Sequence, residues 1–407
     1  MIQSLLGLVV GVLTARYLGP TNYGLISYAM ALSAFFTAFC TLGINSIIIK
    51  ELIDRPHEQG VIIGSSIAVR LLSSTLSVLL ITALVSIINL GERETLIVVI
   101  LYSLNLVFFS VDTINYWYQS KLQSKISSII SIIAYVFTAI YRIILLASGS
   151  NIYWFAAAQS LDVLIIAVLL LTSYRRYGEQ KLKADIQVAK DLLSRSYHFI
   201  LSGLAGAIYG QISSILLKHW LNEAAVGYFG VAVSLSGVWT FIITAIIDSA
   251  RPIIIDQKQK NLSIYKTRIV QLYSVILYFS FAVSFLFTVF GKHVITIMYG
   301  VAYLPAIPVL RILTWYQAFS YLGYARSIWL VSEGKHRYEK IIAILGAVCS
   351  LVLNFALIPW LGVEGAALAS LFTQILTNFL IPFALPALRE NSIFIARAFN
   401  PKHLKIW

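Results

Sequence analysis

The sequence predicts an all-α integral membrane protein whose transmembrane helices form two similar lobes. Of its 407 residues, 59% are hydrophobic and only 12% are charged, and a chain of this composition cannot cover itself with a polar surface. The apolar residues occur in runs of about 17 to 30, which is the length needed to cross a hydrocarbon core of roughly 30 Å. Composition and segment length therefore predict the fold class before any motif is considered.

Twelve segments have the length and apolarity of transmembrane helices: 2–18, 23–49, 61–90, 95–118, 126–147, 153–174, 197–217, 225–249, 269–290, 303–331, 341–360 and 366–388. The first two are joined by RYLGPTNYG, residues 16–24, whose Pro and two Gly residues predict a membrane hairpin corner. Residues 4–46 align weakly with 207–249 without a gap. We therefore expect twelve transmembrane helices in two six-helix lobes, related by a pseudo-two-fold axis along the membrane normal, around a central cavity.

The basic residues between these segments predict the orientation. If the N-terminus is cytoplasmic, 22 of the 30 Lys and Arg residues lie in inside loops and the C-terminal tail, and four lie in outside connections. Such a bias predicts that both termini are cytoplasmic. The net charge of +13 then reflects topology, and the dispersal of the basic residues argues against a nucleic-acid interface.

The longest polar loop divides the chain. It predicts an N-terminal six-helix lobe over 1–174, a cytoplasmic linker over 175–196, a C-terminal six-helix lobe over 197–388 and a cytoplasmic basic tail over 389–407. Apolar residues recur at helical spacing in the second half of the linker. That half is expected either to lie on the membrane surface as an amphipathic helix or to be a solvated connection.

Ionisable side chains inside the predicted spans are the strongest functional signal, because each costs roughly 2.5–3.5 kcal/mol at the bilayer centre. They are Arg70, Arg142, Arg311, Arg326, Asp112, Asp162 and Asp248. Asp112, Asp248 and Arg326 lie near predicted cytoplasmic helix ends, and Arg142 lies near an outer end, where interface anchors or gate ion pairs explain them. Asp162 and Arg311 lie deeper, with Arg70 about a third of the way in; these either line a water-filled cavity or form structural pairs.

Amide side chains add to this pattern. Gln159 lies three residues before Asp162 and Gln374 four before Asn378, so each pair shares a helix face. Such amides either bind a polar substrate or form hydrogen bonds that hold helices together. No Ser/His/Asp grouping, P-loop or HExxH motif occurs, and the two cysteines lie apart in apolar segments. The sequence therefore predicts no catalytic residue, no cofactor and no metal site.

Five stretches, taken in order, carry a family resemblance. They are ARYLGPTNYG after the first span, LGIN in the second, VGYFGVAVSL opening the eighth, YGVAYLPA before the tenth and LGVEGAALAS opening the twelfth. Together they resemble the polysaccharide transport family, the O-antigen and capsule repeat-unit flippases of the multidrug/oligosaccharidyl-lipid/polysaccharide superfamily. The resemblance covers nearly the whole chain. Each motif is loose, but their order and spacing are specific.

The resemblance implies a protein that moves an undecaprenyl-diphosphate-linked oligosaccharide across the bacterial inner membrane, through a cavity that opens alternately to each side. A diphosphate and sugar hydroxyls need cationic and hydrogen-bonding partners inside the bilayer. The head-group phosphate is expected to bind Arg70, Arg311 and Arg142, and the sugar to bind Gln159, Gln374 and Asn378. The coupling ion, H⁺ or Na⁺, is expected at Asp162. A gate is expected to be formed by Asp112, Asp248 and Arg326. Implied partners are the lipid-linked oligosaccharide, membrane lipids, and polysaccharide polymerase and chain-length proteins.

Other functions stay open. A cation-coupled drug or metabolite antiporter of the same superfamily would favour an acid-dominated cavity, whereas these spans hold at least as many Arg as Asp. A membrane-embedded polysaccharide polymerase or ligase would carry a large outside loop with catalytic Arg or His, and the predicted outside loops are short. A lipid II flippase shares the fold but is not expected to show the LGP corner pattern so fully.

Overall fold

A computed structural model describes residues 2–404, which are helical almost throughout. The helices are α1 (Ile2–Thr41), α2 (Ile48–Asp54), α3 (Gln59–Ile88), α4 (Arg93–Ser103), α5 (Asn105–Phe109), α6 (Thr113–Ser120), α7 (Ser124–Ala147), α8 (Ile152–Tyr177), α9 (Ile186–Trp220), α10 (Glu223–Ser236), α11 (Thr240–Lys260), α12 (Leu262–Met298), α13 (Ala306–Ser332), α14 (Arg337–Ile375), α15 (Ile381–Ala384) and α16 (Arg389–Ala398). Short 3-10 segments include Ser110–Asp112 and Val301–Tyr303, and Leu376–Leu380 is a π-helix.

The described chain is that of a multi-pass membrane protein, as composition predicts. Among residues 2–404, eight helical stretches are long and apolar enough to cross a membrane, or up to nine if the bent pair α10 and α11 counts as one span. Two of the eight, Leu6–Thr41 and Arg337–Ala384, hold 36 and 48 residues. Straight helices of these lengths would measure about 54 and 72 Å, well beyond a core of roughly 30 Å. Division of both stretches, with the bent pair counted as one span, would give eleven spans, so the number twelve stays a prediction that also requires α13 to cross the membrane.

Contacts divide the chain into two compact units. The N-terminal unit comprises Ile2–Leu18 and Asn22–Gln211, and the C-terminal unit comprises Gly19–Thr21 and the chain from Ile212 onward. The division falls inside α9, whereas the sequence analysis places it in the linker 175–196. The physical reason is that residues 178–196 pack on the N-terminal unit instead of connecting two bodies through solvent.

One end of the N-terminal unit, named the Glu51 end, is closed by charged residues of α2 and the first turns of α9. Arg195 Nη1 donates to Glu51 Oε1 at 2.9 Å, and Arg55 Nη2 donates to Asp191 Oδ2 at 3.1 Å. Glu51 is 6% exposed, so breaking its pair would leave a charge buried without compensation. The second half of the predicted linker is therefore a helix docked on α2 through ion pairs.

The first half of the linker follows α8 and lies against the start of α3. The Lys183 amide donates to the Gly60 carbonyl at 3.3 Å, and the Gly60 amide donates to Gln180 Oε1 at 2.8 Å. A Cβ added to Gly64 would lie 2.3 Å from the Lys183 carbonyl oxygen. Glycine at position 64 is thus required for the close approach of two backbones.

The chain reverses within α1, as the LGP motif predicts. Gly19 has φ 72° and ψ 172° and is followed by Pro20, a pair that interrupts helical hydrogen bonding. Before the break, the Tyr17 hydroxyl donates to the Ser150 carbonyl at 3.1 Å, in the loop between α7 and α8. Beyond the end of α1, Gly43 packs against α9 at Ser196, at the Glu51 end. The second part of α1 therefore runs from the loop between α7 and α8 to the Glu51 end.

A second reversal lies in the C-terminal unit. Gly362 interrupts α14 with φ 59° and ψ −131°. A Cβ added to Gly365 would lie 2.2 Å from the Leu357 carbonyl oxygen, although eight residues of straight helix would separate the two positions by about 12 Å. The chain therefore folds back on itself at Gly362, between the predicted spans 341–360 and 366–388.

The C-terminal unit ends in a packed helix where the sequence analysis predicts a basic tail. Phe394 and Ile395 of α16 are 3% and 0% exposed. The Asn391 amide donates to the Tyr273 hydroxyl at 2.6 Å, and the Ser274 hydroxyl donates to a carbonyl at the end of α16 at 3.0 Å. Residues 389–398 therefore belong to the helical core, and residues 405–407 lie outside the described part of the chain.

Replacement of Gly64 by Ala is expected to destabilise the protein by about 1–3 kcal/mol, because the methyl group overlaps the Lys183 carbonyl and forces two backbones apart. Thermal unfolding of the purified protein in detergent measures the change as a lower midpoint. Gly11→Ala is the matched control, since a Cβ there meets nothing within 4 Å. Equal midpoints for the two variants would contradict the packing of residues 178–185 on α3.

Candidate functional site

Three of the predicted site residues come together between α7 and α8. These helices are antiparallel neighbours joined by a short loop, so residues near the end of one face residues near the start of the other. Arg142 Nη2 donates to Gln159 Oε1 at 3.4 Å, and the Thr138 hydroxyl contacts Asp162 Oδ1 at 2.6 Å. We call Thr138, Arg142, Gln159 and Asp162 the N-terminal polar cluster.

The guanidinium of Arg142 retains donors for a ligand. The Arg142 side chain is half-buried, and no carboxylate in residues 2–404 forms an ion pair with it. Its hydrogen bond to Gln159 is longer than the usual 2.7–3.2 Å for such bonds, so little of its bonding capacity is used. Tyr102 and Tyr135 lie within its electrostatic reach. A phosphate oxygen would be a stronger partner for Arg142 than any described neighbour.

In the hydrogen bond between Thr138 and Asp162, either side chain can be the donor. The Thr138 oxygen lies 2.7 Å from the Ala134 carbonyl and 2.6 Å from Asp162 Oδ1, but a hydroxyl has only one hydrogen to donate. When Asp162 is ionised, it accepts that hydrogen. When Asp162 is protonated, it donates to Thr138, which then donates to the Ala134 carbonyl. The geometry accommodates both charge states of Asp162.

The cluster lies well inside both helices. Asp162 is ten residues from the start of α8, or about 15 Å, in a helix of 26 residues. Arg142 is five residues from the end of α7, about 8 Å. Thr138 and Tyr135 are not among the predicted site residues, although both precede Arg142 at helical spacing, by four and seven residues. That spacing on one face was the signal that could have found them.

Arg70 is engaged inside the N-terminal unit. Its side chain is 1% exposed; Nη1 donates to the Thr113 hydroxyl at 2.9 Å and Nη2 donates to the Phe109 carbonyl at 3.1 Å. Thr113 in turn donates to the Ser110 carbonyl at 3.0 Å. These partners flank the 3-10 segment Ser110–Asp112, where the backbone departs from α-helical bonding. Arg70 thus satisfies backbone groups at a break in the span formed by α4–α6.

The predicted gate residues have local partners. Asp112 is half-buried, hydrogen-bonds with Asn115 and interacts electrostatically with Arg70. Asp248 is exposed and pairs with Arg251, three residues further on α11, at 3.5 Å. No described contact joins Asp248 to Arg326, the third residue of the predicted gate.

Two predicted sugar contacts are buried in the C-terminal unit. Gln374 and Asn378 are 3% and 6% exposed, and the Asn378 amide donates to Gln374. Their shared helix face is as predicted. A Cβ added to Gly323 would overlap Asn378, so α13 lies directly against this pair. Beside it, Arg326 Nη1 donates at 3.0 Å to the Thr377 carbonyl in the π-helical segment.

Arg311 lies nearer to a helix end than the sequence analysis expects. The helix starts at Ala306, because Val301–Tyr303 form a separate 3-10 turn, and Arg311 is therefore only about 8 Å from its first residue. Its side chain is exposed and makes no hydrogen bond or ion pair with residues 2–404. Arg142 and Arg311 are thus accessible cations, one in each unit.

Comparison with known families decides the membership of the chain. The family described as "Polysaccharide biosynthesis protein" matches residues 1–258, more than half of the sequence. The chain belongs to this family. The polysaccharide biosynthesis family is the affiliation that the five motifs predict.

Two curated proteins are similar to this member of the polysaccharide biosynthesis family. The uncharacterized membrane protein MJ1068 of Methanocaldococcus jannaschii is 24% identical over 304 residues, which cover 69% of this chain and 58% of that protein. The capsular polysaccharide biosynthesis protein CapF of Staphylococcus aureus is 21% identical over 369 residues, 87% of this chain and 88% of CapF.

Solved structures show the same fold. The lipid II flippase MurJ, in an inward closed conformation, superposes with a TM-score of 0.75 at 14% identity, covering 98% of this chain and 89% of MurJ. An inward-facing multidrug resistance MATE family transporter of the MOP superfamily gives a TM-score of 0.69 at 16% identity, covering 98% and 96%. The polysaccharide biosynthesis family member therefore has a MATE- and MurJ-like fold.

Replacement of Arg70 by Gln is expected to cost about 1–3 kcal/mol, because the part-buried Phe109 carbonyl loses its charged donor. The measurement is the thermal unfolding midpoint of the purified protein in detergent. Arg311→Gln is the matched control: it removes the same charge from an exposed side chain and is expected to leave the midpoint unchanged. If the two substitutions shift the midpoint equally, Arg70 does not hold the helix break.

Proposed function

We propose that this protein is a flippase that moves an undecaprenyl-diphosphate-linked oligosaccharide, a repeat unit of O-antigen or a similar polysaccharide, from the cytoplasmic to the periplasmic leaflet of the bacterial inner membrane. It would do so by alternating access, with twelve transmembrane helices in two six-helix lobes and both termini in the cytoplasm. The 22-to-4 distribution of basic residues supports this orientation. The family membership supports the class of substrate.

The proposal rests on one observation: Arg142 lies inside a predicted span and forms no ion pair with residues 2–404. A guanidinium inside an apolar helix is expensive unless its charge is used, and Arg142 has a weak hydrogen bond to Gln159 and no described carboxylate partner. A lipid-linked diphosphate supplies the missing anion. Gln159, next to it, would bind the first sugar hydroxyls, as amide side chains both donate and accept.

The other predicted ligands take different places in this proposal. Arg311 would also bind phosphate, since its side chain is exposed and forms no ion pair with residues 2–404. Arg70 could bind a phosphate only after releasing Thr113 and the Phe109 carbonyl. Gln374 and Asn378 would reach sugar only if α13 moved away from them, because Gly323 packs directly on Asn378. The gate roles of Asp112, Asp248 and Arg326 stay proposals as well.

We further propose that Asp162 couples transport to proton movement. Its contact with Thr138 holds a hydrogen bond in either charge state of the carboxyl. Loss of the proton would add one negative charge to the cluster. The added charge would attract the Arg142 guanidinium and so weaken the attraction of Arg142 for a phosphate. Proton binding and substrate binding are in this way linked through one cation.

Arg142→Gln and Arg311→Gln are expected to lower surface polysaccharide at least tenfold in cells whose own gene is deleted, because each removes a charge-assisted hydrogen bond worth about 1.5–3 kcal/mol. The lipid-linked precursor should accumulate on the cytoplasmic leaflet while membrane levels of the protein stay normal. Arg93→Gln, outside the predicted spans, is the control. Normal polysaccharide in both variants would remove these residues as ligands. Loss of drug efflux in place of polysaccharide would favour the antiporter.

Asp162→Asn is expected to abolish the response of transport to an imposed pH gradient in vesicles that contain a fluorescent lipid-linked oligosaccharide, because a side-chain amide does not change its charge by binding and releasing a proton. Asp248→Asn, at an exposed carboxylate paired with Arg251, should respond as the wild type does. A wild type that responds to a sodium gradient and not to a pH gradient would contradict proton coupling and identify Na⁺ as the coupling ion.

A further inference from the structure

A groove of about 340 Å³ lies on the N-terminal unit between α7 and α8, at the Glu51 end. Its walls are mainly apolar and are formed by Ile126, Ile129, Ile130, Ile133 and Leu169. Ile129 and Ile133 are 46% and 40% exposed. The groove extends over about two helical turns, or roughly 10 Å. It is separate from the N-terminal polar cluster, which lies nearer to the loop between α7 and α8.

The mouth of the groove is polar and positively charged. Arg176 lines it together with Thr172, Ser173 and Tyr177. Two of the hydroxyl groups are already engaged, since Thr172 donates to the carbonyl of Val168 and Ser173 hydrogen-bonds with Tyr118. Arg176 is the one charged residue of the lining, and its guanidinium carries several N–H donors.

The Arg176 guanidinium stacks over the ring of its neighbour Tyr177, with 5.5 Å between the Cζ atom and the ring centroid. Among residues 2–404 it has neither a hydrogen bond nor an ion pair. Lys125 is exposed and directly precedes the first groove residue, Ile126. The lining residues include no Asp or Glu, so no carboxylate of the groove neutralises the charge of Arg176.

We propose that this groove binds one anionic membrane phospholipid, with the start of an acyl chain between the isoleucines and the phosphate on Arg176. Basic pockets between transmembrane helices, on the side of the membrane that carries basic loops, are suited to anionic head groups. A zwitterionic lipid would fill the apolar part equally well but would add a second positive charge beside Arg176. The site therefore discriminates by head-group charge, and it does not depend on the transport function proposed above.

The test titrates the purified full-length protein in detergent with phosphatidylglycerol or phosphatidylcholine of identical acyl chains and counts bound lipids by native mass spectrometry. The wild type is expected to bind phosphatidylglycerol about fivefold more tightly than phosphatidylcholine, the effect of one basic residue near an anionic head group. Arg176→Gln should remove this preference. Arg175→Gln is the matched control, because Arg175 is exposed, adjacent and of equal charge but does not line the groove.

A further variant tests the apolar part of the groove independently of Arg176. Ile133→Trp fills the apolar part and should weaken binding of both lipids without changing the charge, with the unfolding midpoint checking that the variant is folded. Equal losses in Arg175→Gln and Arg176→Gln would overturn the proposal in favour of general surface attraction. Equal affinity of the wild type for both lipids would also overturn it. A co-purified adduct with the mass of a lipid-linked saccharide, displaced by Ile133→Trp, would assign the groove to the transported lipid instead.

Discussion

The dominant constraint on this protein is that backbone amides and carbonyls inside hydrocarbon have no water to bind. An unbroken helix meets this constraint by itself, but a helix that changes its hydrogen-bonding pattern leaves groups that another part of the protein must satisfy. Arg70 does so at the 3-10 segment Ser110–Asp112, through the Phe109 carbonyl. Arg326 does so at the π-helix Leu376–Leu380, through the Thr377 carbonyl. Each unit thus contains a buried arginine beside an irregular helix.

The arginines of the spans consequently fall into two groups. Arg70 and Arg326 are 1% and 5% exposed and donate to backbone carbonyls, so their cost of burial is offset by stabilising local structure. Arg142 and Arg311 are accessible and donate to no described backbone carbonyl or carboxylate. Their cost is not offset within the described chain, which is why the proposed anionic ligand is assigned to them first.

Structural features that lie within a single helix were predictable from the sequence. The corner at Gly19 and the break at Gly362 are local backbone features. The first was predicted from its Pro and Gly residues, and the second falls between two predicted spans. The shared face of Gln374 and Asn378 follows from a spacing of four residues. The packing of segments 178–196 and 389–398 was not predicted, because their composition is polar or basic. Both pack on their units through a few buried contacts that composition does not reveal.

The sequence by itself determined that this is a helical membrane protein of a polysaccharide-related family, because length, apolarity and the order of glycine-rich corners are properties of the chain alone. Only the tertiary structure decided which rare charged residues have partners. Arg70 and Arg142 look alike in an apolar run, yet one faces a break in a neighbouring span and the other faces Gln159. The reason is that a side chain's partners depend on which helices become neighbours, and helix packing between apolar surfaces leaves no periodic signal in the sequence.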